Sequence, residues 1–555
     1  MAGLRSEWTA SFACFRRPER RLQILLGRPW LIIGGTAALV GVAALALNWL
    51  PREFAPPGDL GFVRVELDAP EGASLEYTER QMLQAERILF SETQRHGDIR
   101  RFIMRIGSGS ASGSTEVNEV RGFVLLEDWH ERERSAMDVA ASLTTQFEAL
   151  PGVRARVYAM QGIGSRGFGR PVQVVIGGPD YRTLAGWSDH IVDLAGQNPG
   201  LVGAETNFRE RKPQIDVAVD RDRAAELGVS LESVGRTLET VLGSRVVTTY
   251  VDRGREYRVI LQGQTRDRAV PSDLQNLYVR SDRSHQLVPL SNLVKLTETS
   301  GAMQLNRFDR MRAITISAGL APGYTLGQAV PYFQELVRTE LPPAARLSFD
   351  GEAREYLRTE GQFWSTFIFA IAIVFLVLAA LFESFKQPAV IMTTVPLALI
   401  GAIAGLAIYR LAGSQMSLNI FSQIAMIMLV GIAAKNGVLI VEFANQLRDQ
   451  GLERVEAVVR AAAIRLRPVL MTSLCTAFGS LPFLLATGAG SEQREPIGVV
   501  VFFGTTIAVF LTLFAVPAVY ALVAGDHRSP HYLSGLIERL RAGAAPSVSS
   551  RADPP

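Results

Sequence analysis

Hydrophobic and polar residues divide this chain into blocks. Six runs are long enough to cross the roughly 30 Å hydrocarbon core of a bilayer, at residues 29–50, 361–382, 388–409, 411–441, 468–491 and 496–525. All lack Asp, Glu, Lys and Arg except the fourth, which is interrupted once, by Lys435. The pattern predicts a six-span helical bundle. Between the first and second runs, residues 52–360 are far too long and too charged for a loop and are expected to form a domain outside the membrane.

Within that domain the period changes from helical to alternating and back. Residues 61–67 read as strand, 75–90 as helix, 100–106 and 120–126 as strands, 136–150 as helix and 153–160 as strand. This β-α-β-β-α-β order is the split βαβ, or ferredoxin-like, signature. A second copy begins with strand 171–176, helix 181–194 and strand 201–207, and resumes with strand 312–318, helix 326–341 and strand 345–349. The insertion between its halves carries a helix at 230–242 and a hairpin at 250–261, turning at Asp252-Arg253-Gly254, where glycine suits a positive φ. The expected organisation is therefore an amphipathic segment 1–28, a first span 29–50, one α+β unit at 51–166, a second at 167–219 and 301–358 with residues 220–300 inserted, five spans within 361–525, and a tail 526–555.

Charge near the span ends sets orientation. Residues 1–28 hold six arginines and residues 445–468 hold five, whereas 410–418 and 486–496 hold one each, Arg410 and Arg494. Both termini are expected in the cytoplasm and the α+β domain on the far side. The charge of +3 over 555 residues provides no concentrated basic face for phosphates and excludes a nucleic-acid binder. Cys14 and Cys475 make no disulfide framework, and the six histidines are scattered without metal-ligand spacing, so no metal site is expected. Neither a P-loop nor a Gly-x-Ser-x-Gly elbow is present, which leaves ATP-driven transport and hydrolysis without local support.

The chemistry therefore centres on Lys435. A lysine at the middle of a membrane helix costs about 2.5–3.5 kcal/mol on insertion scales, and such residues usually face a bundle interior or water and find a partner. No Asp or Glu lies inside any of the six runs, and Glu442, seven residues on, is about 10 Å away along the helix. The partner acid is expected to come from elsewhere. Arg465 and Thr472 are also seven apart and share a helix face, the arginine nearer the mouth and the hydroxyl deeper. Together with Lys435 they suit a proton relay, although a threonine in a helix also bonds back to its own carbonyls. The small-residue run from Gly107 through Gly109 to Gly113 sits where one strand should turn into the next, as a flexible linker or a moving gate.

These residues resemble the resistance-nodulation-division (RND) permeases of the hydrophobe/amphiphile efflux branch, in their C-terminal half. Ala433-Ala434-Lys435-Asn436 through Glu442-Phe443-Ala444 is similar to that family's tenth membrane helix, and Arg465-Leu466-Arg467-Pro468 through Thr472-Ser473 to its eleventh. Leu50-Pro51-Arg52-Glu53-Phe54, Ala225-Glu226-Leu227-Gly228-Val229-Ser230, Val251-Asp252-Arg253-Gly254-Arg255, Ala379 to Phe385 and Thr487-Gly488-Ala489-Gly490-Ser491 also fit. The resemblance implies an inner-membrane secondary transporter, not an enzyme, driven by the proton motive force without a cofactor and exporting amphiphilic small molecules. It also implies two porter subdomains, an inserted docking subdomain, a trimer, a periplasmic adaptor and an outer-membrane channel. Lys435, Thr472 and Arg465 match the relay positions, and Gly107, Gly109 and Gly113 fall in the switch loop, with Ser and Ala where drug pumps often carry phenylalanine. The acid pair of the family lies in an N-terminal half, which is the complement this reading requires. The alternatives are a non-transporting regulatory or assembly subunit and an RND-type lipid exporter.

Overall fold

A computed structural model describes residues 29–107, 117–160, 170–302, 304–414, 416–523 and 537 of the chain. The segments expected at 1–28 and 526–555, apart from residue 537, lie outside it, as do Gly109 and Gly113.

The first α+β unit follows the predicted order: β1 (Phe62–Asp68), α2 (Leu75–His96), β2 (Ile99–Ile106), β3 (Glu119–Leu126), α3 (Ala136–Glu148) and β4 (Arg154–Ala159), preceded by the helix α1 (Pro29–Trp49). Its four strands lie in the antiparallel order β2-β3-β1-β4. Alternation along β3 buries Val120, Val124 and Leu126 against Leu89 of α2 and Leu143 and Phe147 of α3. Ser74 and Ser135 cap the two helices by accepting backbone N–H groups, which is the boundary signal their positions give in the sequence.

The second unit repeats this plan with β5 (Val172–Gly178), α4 (Tyr181–Gly196), β6 (Leu201–Thr206), β13 (Arg307–Phe308), β14 (Met311–Leu320), α7 (Leu326–Glu340) and β15 (Arg346–Asp350). Here β6 pairs β14, β14 pairs β5 and β5 pairs β15. Between β6 and β13 come β7 (Lys212–Val219), the short helices α5 (Arg221–Glu226) and α6 (Leu231–Leu238), β8 (Arg245–Asp252), β9 (Arg255–Leu261), β10 (Tyr278–Arg280), β11 (Leu287–Pro289) and β12 (Val294–Gly301). β7 pairs β12 alone along its full length, so the insertion starts at 212 and ends at 301 rather than at 220 and 300. The β8–β9 hairpin turns where glycine was expected, with Arg253 at φ 48° and Gly254 at φ 78°.

The remaining helices are α8 (Gly351–Phe382), α9 (Lys386–Met392), α10 (Thr394–Leu411), α11 (Ile420–Asp449), α12 (Arg454–Leu484) and α13 (Ser491–Val523). Five stretches are long and apolar enough to cross a membrane: Trp30–Trp49, Gly351–Phe382, Lys386–Leu411, Ile420–Asp449 and Ser491–Val523. Several predicted boundaries move. The described residues among 412–419 are mostly loop, so the run read as 411–441 becomes a helix that starts nine residues later and ends eight residues later. The five arginines assigned to a loop at 445–468 all sit on helices, Arg448 on α11 and the others on α12, because arginine is a good helix former and charge alone does not stop a helix. Residues 450–453 form the actual connection, with Gly451 at φ 97°. α8 starts ten residues before its apolar run, directly after β15, so the boundary expected at 358 falls inside a continuous helix.

Helix contacts in the bundle use glycine. A Cβ on Gly401 of α10 would lie 2.7 Å from the Phe503 carbonyl oxygen of α13, and one on Gly405 would lie 2.6 Å from Phe503 Cβ. Such close backbone approach is how helices pack where burying apolar surface gains nothing over lipid. The α+β domain is tied to the bundle through the segment after α1. Leu418 N–H donates to the Pro51 carbonyl (2.8 Å), Ile420 N–H to the Phe54 carbonyl (3.1 Å), and Arg52 pairs with Glu360 of α8 (2.7 Å).

Candidate functional site

α11 is thirty residues long, and Lys435 lies fifteen residues from Ile420 and fourteen from Asp449. At 1.5 Å per residue the ammonium-bearing residue is about 21 Å from either end. Lys435 is exposed on this chain, in a row with Ile424, Met428, Gly431 and Glu442, while its neighbours Ala433, Ala434, Asn436 and Gly437 are buried against the rest of the bundle. Among the described residues no carboxylate comes within 4 Å of its Nζ.

α12 runs antiparallel beside α11, and buried polar residues fix their register. Ser473 Oγ donates to Asn436 Oδ1 at 3.3 Å, one residue beyond Thr472 and Lys435 respectively. Lys435 and Thr472 therefore sit at one depth. The Thr472 hydroxyl donates back to the Val469 carbonyl (3.2 Å), the local bond that competes with a relay role. Arg465 lies two turns along α12, with its guanidinium stacked 4.4 Å from the centroid of the Phe443 ring of α11. Its Nε is buried and without a hydrogen-bond partner among the described residues. A stacked guanidinium with a free donor keeps its positive charge available while its plane rests on an aromatic face. The structure thus brings Lys435 and Thr472 to one level and places Arg465 about 10 Å away along the same pair of helices.

Two polar links escaped the sequence reading. Asn436–Ser473 is one. The other is at the far end of α11, where the buried Tyr520 of α13 donates to Asn445 Oδ1 (2.7 Å) and Arg448 approaches the phenol oxygen (3.5 Å). Single polar residues inside apolar helices were the available signal, but the partner helix was not legible. Gly437 shows why this face of α11 is small: a Cβ there would lie 3.1 Å from Ile391 Cγ2 and Thr394 Cγ2.

Of the loop glycines, Gly107 is described. It ends β2 with φ 72°, a value that suits glycine, and its N–H donates to the Glu119 carbonyl (2.9 Å). Among the described residues no group of three or more His, Cys, Asp or Glu is placed to hold a metal ion.

The helical bundle, with five stretches long and apolar enough to cross a membrane, and the duplicated α+β domain define a polytopic membrane protein. The chain belongs to the AcrB/AcrD/AcrF family, whose model matches residues 10–524. It is 31% identical over 501 residues to the solvent-resistant pump membrane transporter SrpB of Pseudomonas putida, covering 89% of this chain and 46% of that protein. It is 30% identical to the toluene efflux pump membrane transporter TtgE of the same species, with the same coverage of 89% and 46%. An uncharacterized transporter of Haemophilus influenzae is 33% identical over 424 residues, 76% of this chain and 41% of that protein. The chain spans less than half the length of these relatives.

Proposed function

We propose that this chain works as the C-terminal half of a proton-driven RND efflux pump exporting amphiphilic or hydrophobic compounds. In this reading α12 supplies the sixth span, through its apolar portion from residue 468. The two α+β units are ferredoxin-like porter subdomains facing the periplasm, and residues 212–301 form the docking subdomain. A complementary N-terminal half packs on the open face of α11 and brings the acids that pair with Lys435. Protonation of those acids releases the ammonium, and the helices then shift relative to one another. Arg465 keeps the mouth positive, and Thr472 reorients once its bond to Val469 is given up. The assembly is a trimer working with a periplasmic adaptor and an outer-membrane channel, and the inner membrane is its site.

The observation that carries this reading is the position of Lys435: the middle of a thirty-residue helix, on an open face, with no acid from the described residues against it. The relatives named as solvent and toluene pumps point to hydrophobic cargo. The test is efflux of a hydrophobic dye from cells that lack their own RND pumps and co-produce this chain and its complementary half. Lys435→Ala should abolish efflux at unchanged protein level. Unaltered efflux in that variant defeats the proposal.

A further inference from the structure

α12 leaves one line of its surface uncovered over most of its length. At about 100° per residue, Arg460, Ile464, Arg467, Met471, Leu474 and Phe478 fall within about 40° of a single line along the helix. All six are exposed. The opposite side, with Ala462, Val469 and Ser473, is buried against the bundle. Thr472 and Arg465 lie about 120° and 140° round the helix from the line, so it is not the face on which the Lys435 site is built.

The line changes character once. From Pro468 to Ser491 the chain carries no charge, and Met471, Leu474 and Phe478 are each about half exposed or more. Before that boundary stand the two arginines, seven residues and so about 10 Å apart along the axis. Helical side chains lean toward the N-terminus, which tips the Arg467 guanidinium away from the apolar stretch and toward Arg460. A headgroup layer about 5–7 Å deep, starting at Arg467, places a phosphate midway between the two, within reach of both side chains. Among the described residues no carboxylate comes within 4 Å of Arg460, although Glu456 stands one turn before it. Glu456 and Glu453, the next acids on the line, are roughly 11 Å and 16 Å beyond that midpoint, outside the layer.

We propose that this line of α12 is a binding site for a phospholipid of net negative charge, its phosphate held between Arg460 and Arg467 and an acyl chain lying along Met471, Leu474 and Phe478. Guanidinium forks match phosphate oxygens. A zwitterionic lipid brings its own ammonium to the same phosphate and competes with the arginines, whereas an anionic glycerol headgroup does not, so the site prefers the anionic lipid. A second copy of the chain suits the line less well, because a two-fold axis normal to the membrane sets each arginine against its own image. The site rests on the reading of α12 as the sixth span, and on neither proton coupling nor cargo.

The test is a lipid titration of the full, delipidated chain in a neutral detergent, read by native mass spectrometry, with dioleoyl phosphatidylglycerol against dioleoyl phosphatidylcholine. At roughly fivefold per arginine near the headgroups, phosphatidylglycerol should bind about 25-fold more tightly. Arg460→Gln and Arg467→Gln should each lower that preference roughly fivefold, the double variant should abolish it, and Arg467→Lys should keep it. Arg454→Gln removes an exposed charge at the start of α12, about 120° off the line, and should change nothing. Equal affinity for the two lipids overturns the proposal, as does an Arg454→Gln loss equal to that of Arg467→Gln, which would mean diffuse surface charge. A change in the number of chains per particle in the Gln variants, with lipid binding unaltered, assigns the line to a second copy and overturns it too, and loss of the preference in the complex with the complementary half assigns it to that half. Unaltered dye efflux in the Lys435 variant would leave these affinities standing, so the two readings fail separately.

Discussion

An ammonium at the centre of a membrane helix is a cost that the chain bears alone until an acid meets it, and the sign of a single substitution tells whether that acid is present. Lys435 is about 21 Å from either end of α11, whereas four methylenes reach about 6 Å, so the side chain cannot snorkel to either interface. Insertion scales put a central lysine about 2.5–3.5 kcal/mol above an apolar residue. Water drawn to its exposed position relieves part of this, which leaves roughly 1–3 kcal/mol recoverable by Lys435→Leu. In this chain by itself the variant should be more stable, with a thermal midpoint several degrees higher at roughly 2–4 °C per kcal/mol for a domain of this size. With the acid-bearing half bound, the same substitution should weaken the complex, because it strands a buried carboxylate. Thermal unfolding in one detergent, of the chain alone and then of the co-purified complex, reads both signs. A fall in the midpoint of the isolated chain would refute the reasoning, since it would mean that Lys435 already makes a favourable interaction within this polypeptide.

Two further predictions follow from packing and from burial. Gly405→Val places a branched side chain against Phe503, whose Cβ already lies 2.6 Å from the position of a single added carbon, and should destabilise the α10–α13 contact by about 1–3 kcal/mol or more; a thermal midpoint equal to that of the parent would contradict it. Asp68 has its pKa raised from 3.8 to about 6, first by burial and then by the nearby Glu119 and Glu66, with Arg156 pulling the other way. A raised carboxyl stabilises the fold fully below its unfolded value near 4 and loses that contribution as pH rises through about 6, so Asp68→Asn should flatten the pH dependence of melting between pH 4 and 7, and an unchanged slope would count against it.

Much of the domain outside the bundle was legible because alternation over six to eight residues and helical spacing are strong local signals. β3 and α3 stand nearly where the pattern puts them. Helix ends in the bundle were less legible, because the absence of charge marks what lipid tolerates, not where hydrogen bonding stops. α12 begins fourteen residues before its apolar run, and α8 ten. Lys435 stood out from sequence because one charge in an apolar run has few structural explanations. Asn436, Ser473, Asn445 and Tyr520 did not, since a polar side chain in a helix bonds its own turn or a neighbour with equal ease, and only the packing of α11 against α12 and α13 decides between them. Thr472 illustrates the other outcome, its hydroxyl held by the Val469 carbonyl.

α8 leaves β15 without a break and continues for thirty-two residues, about 48 Å of uninterrupted hydrogen-bonded rod. A pivot of about 5° at one tip of such a rod displaces the opposite tip by roughly 4 Å, more than a hydrogen bond's length. The second α+β unit is in this way joined to the helices by one rigid rod, with no intermediate loop to absorb a displacement of either end.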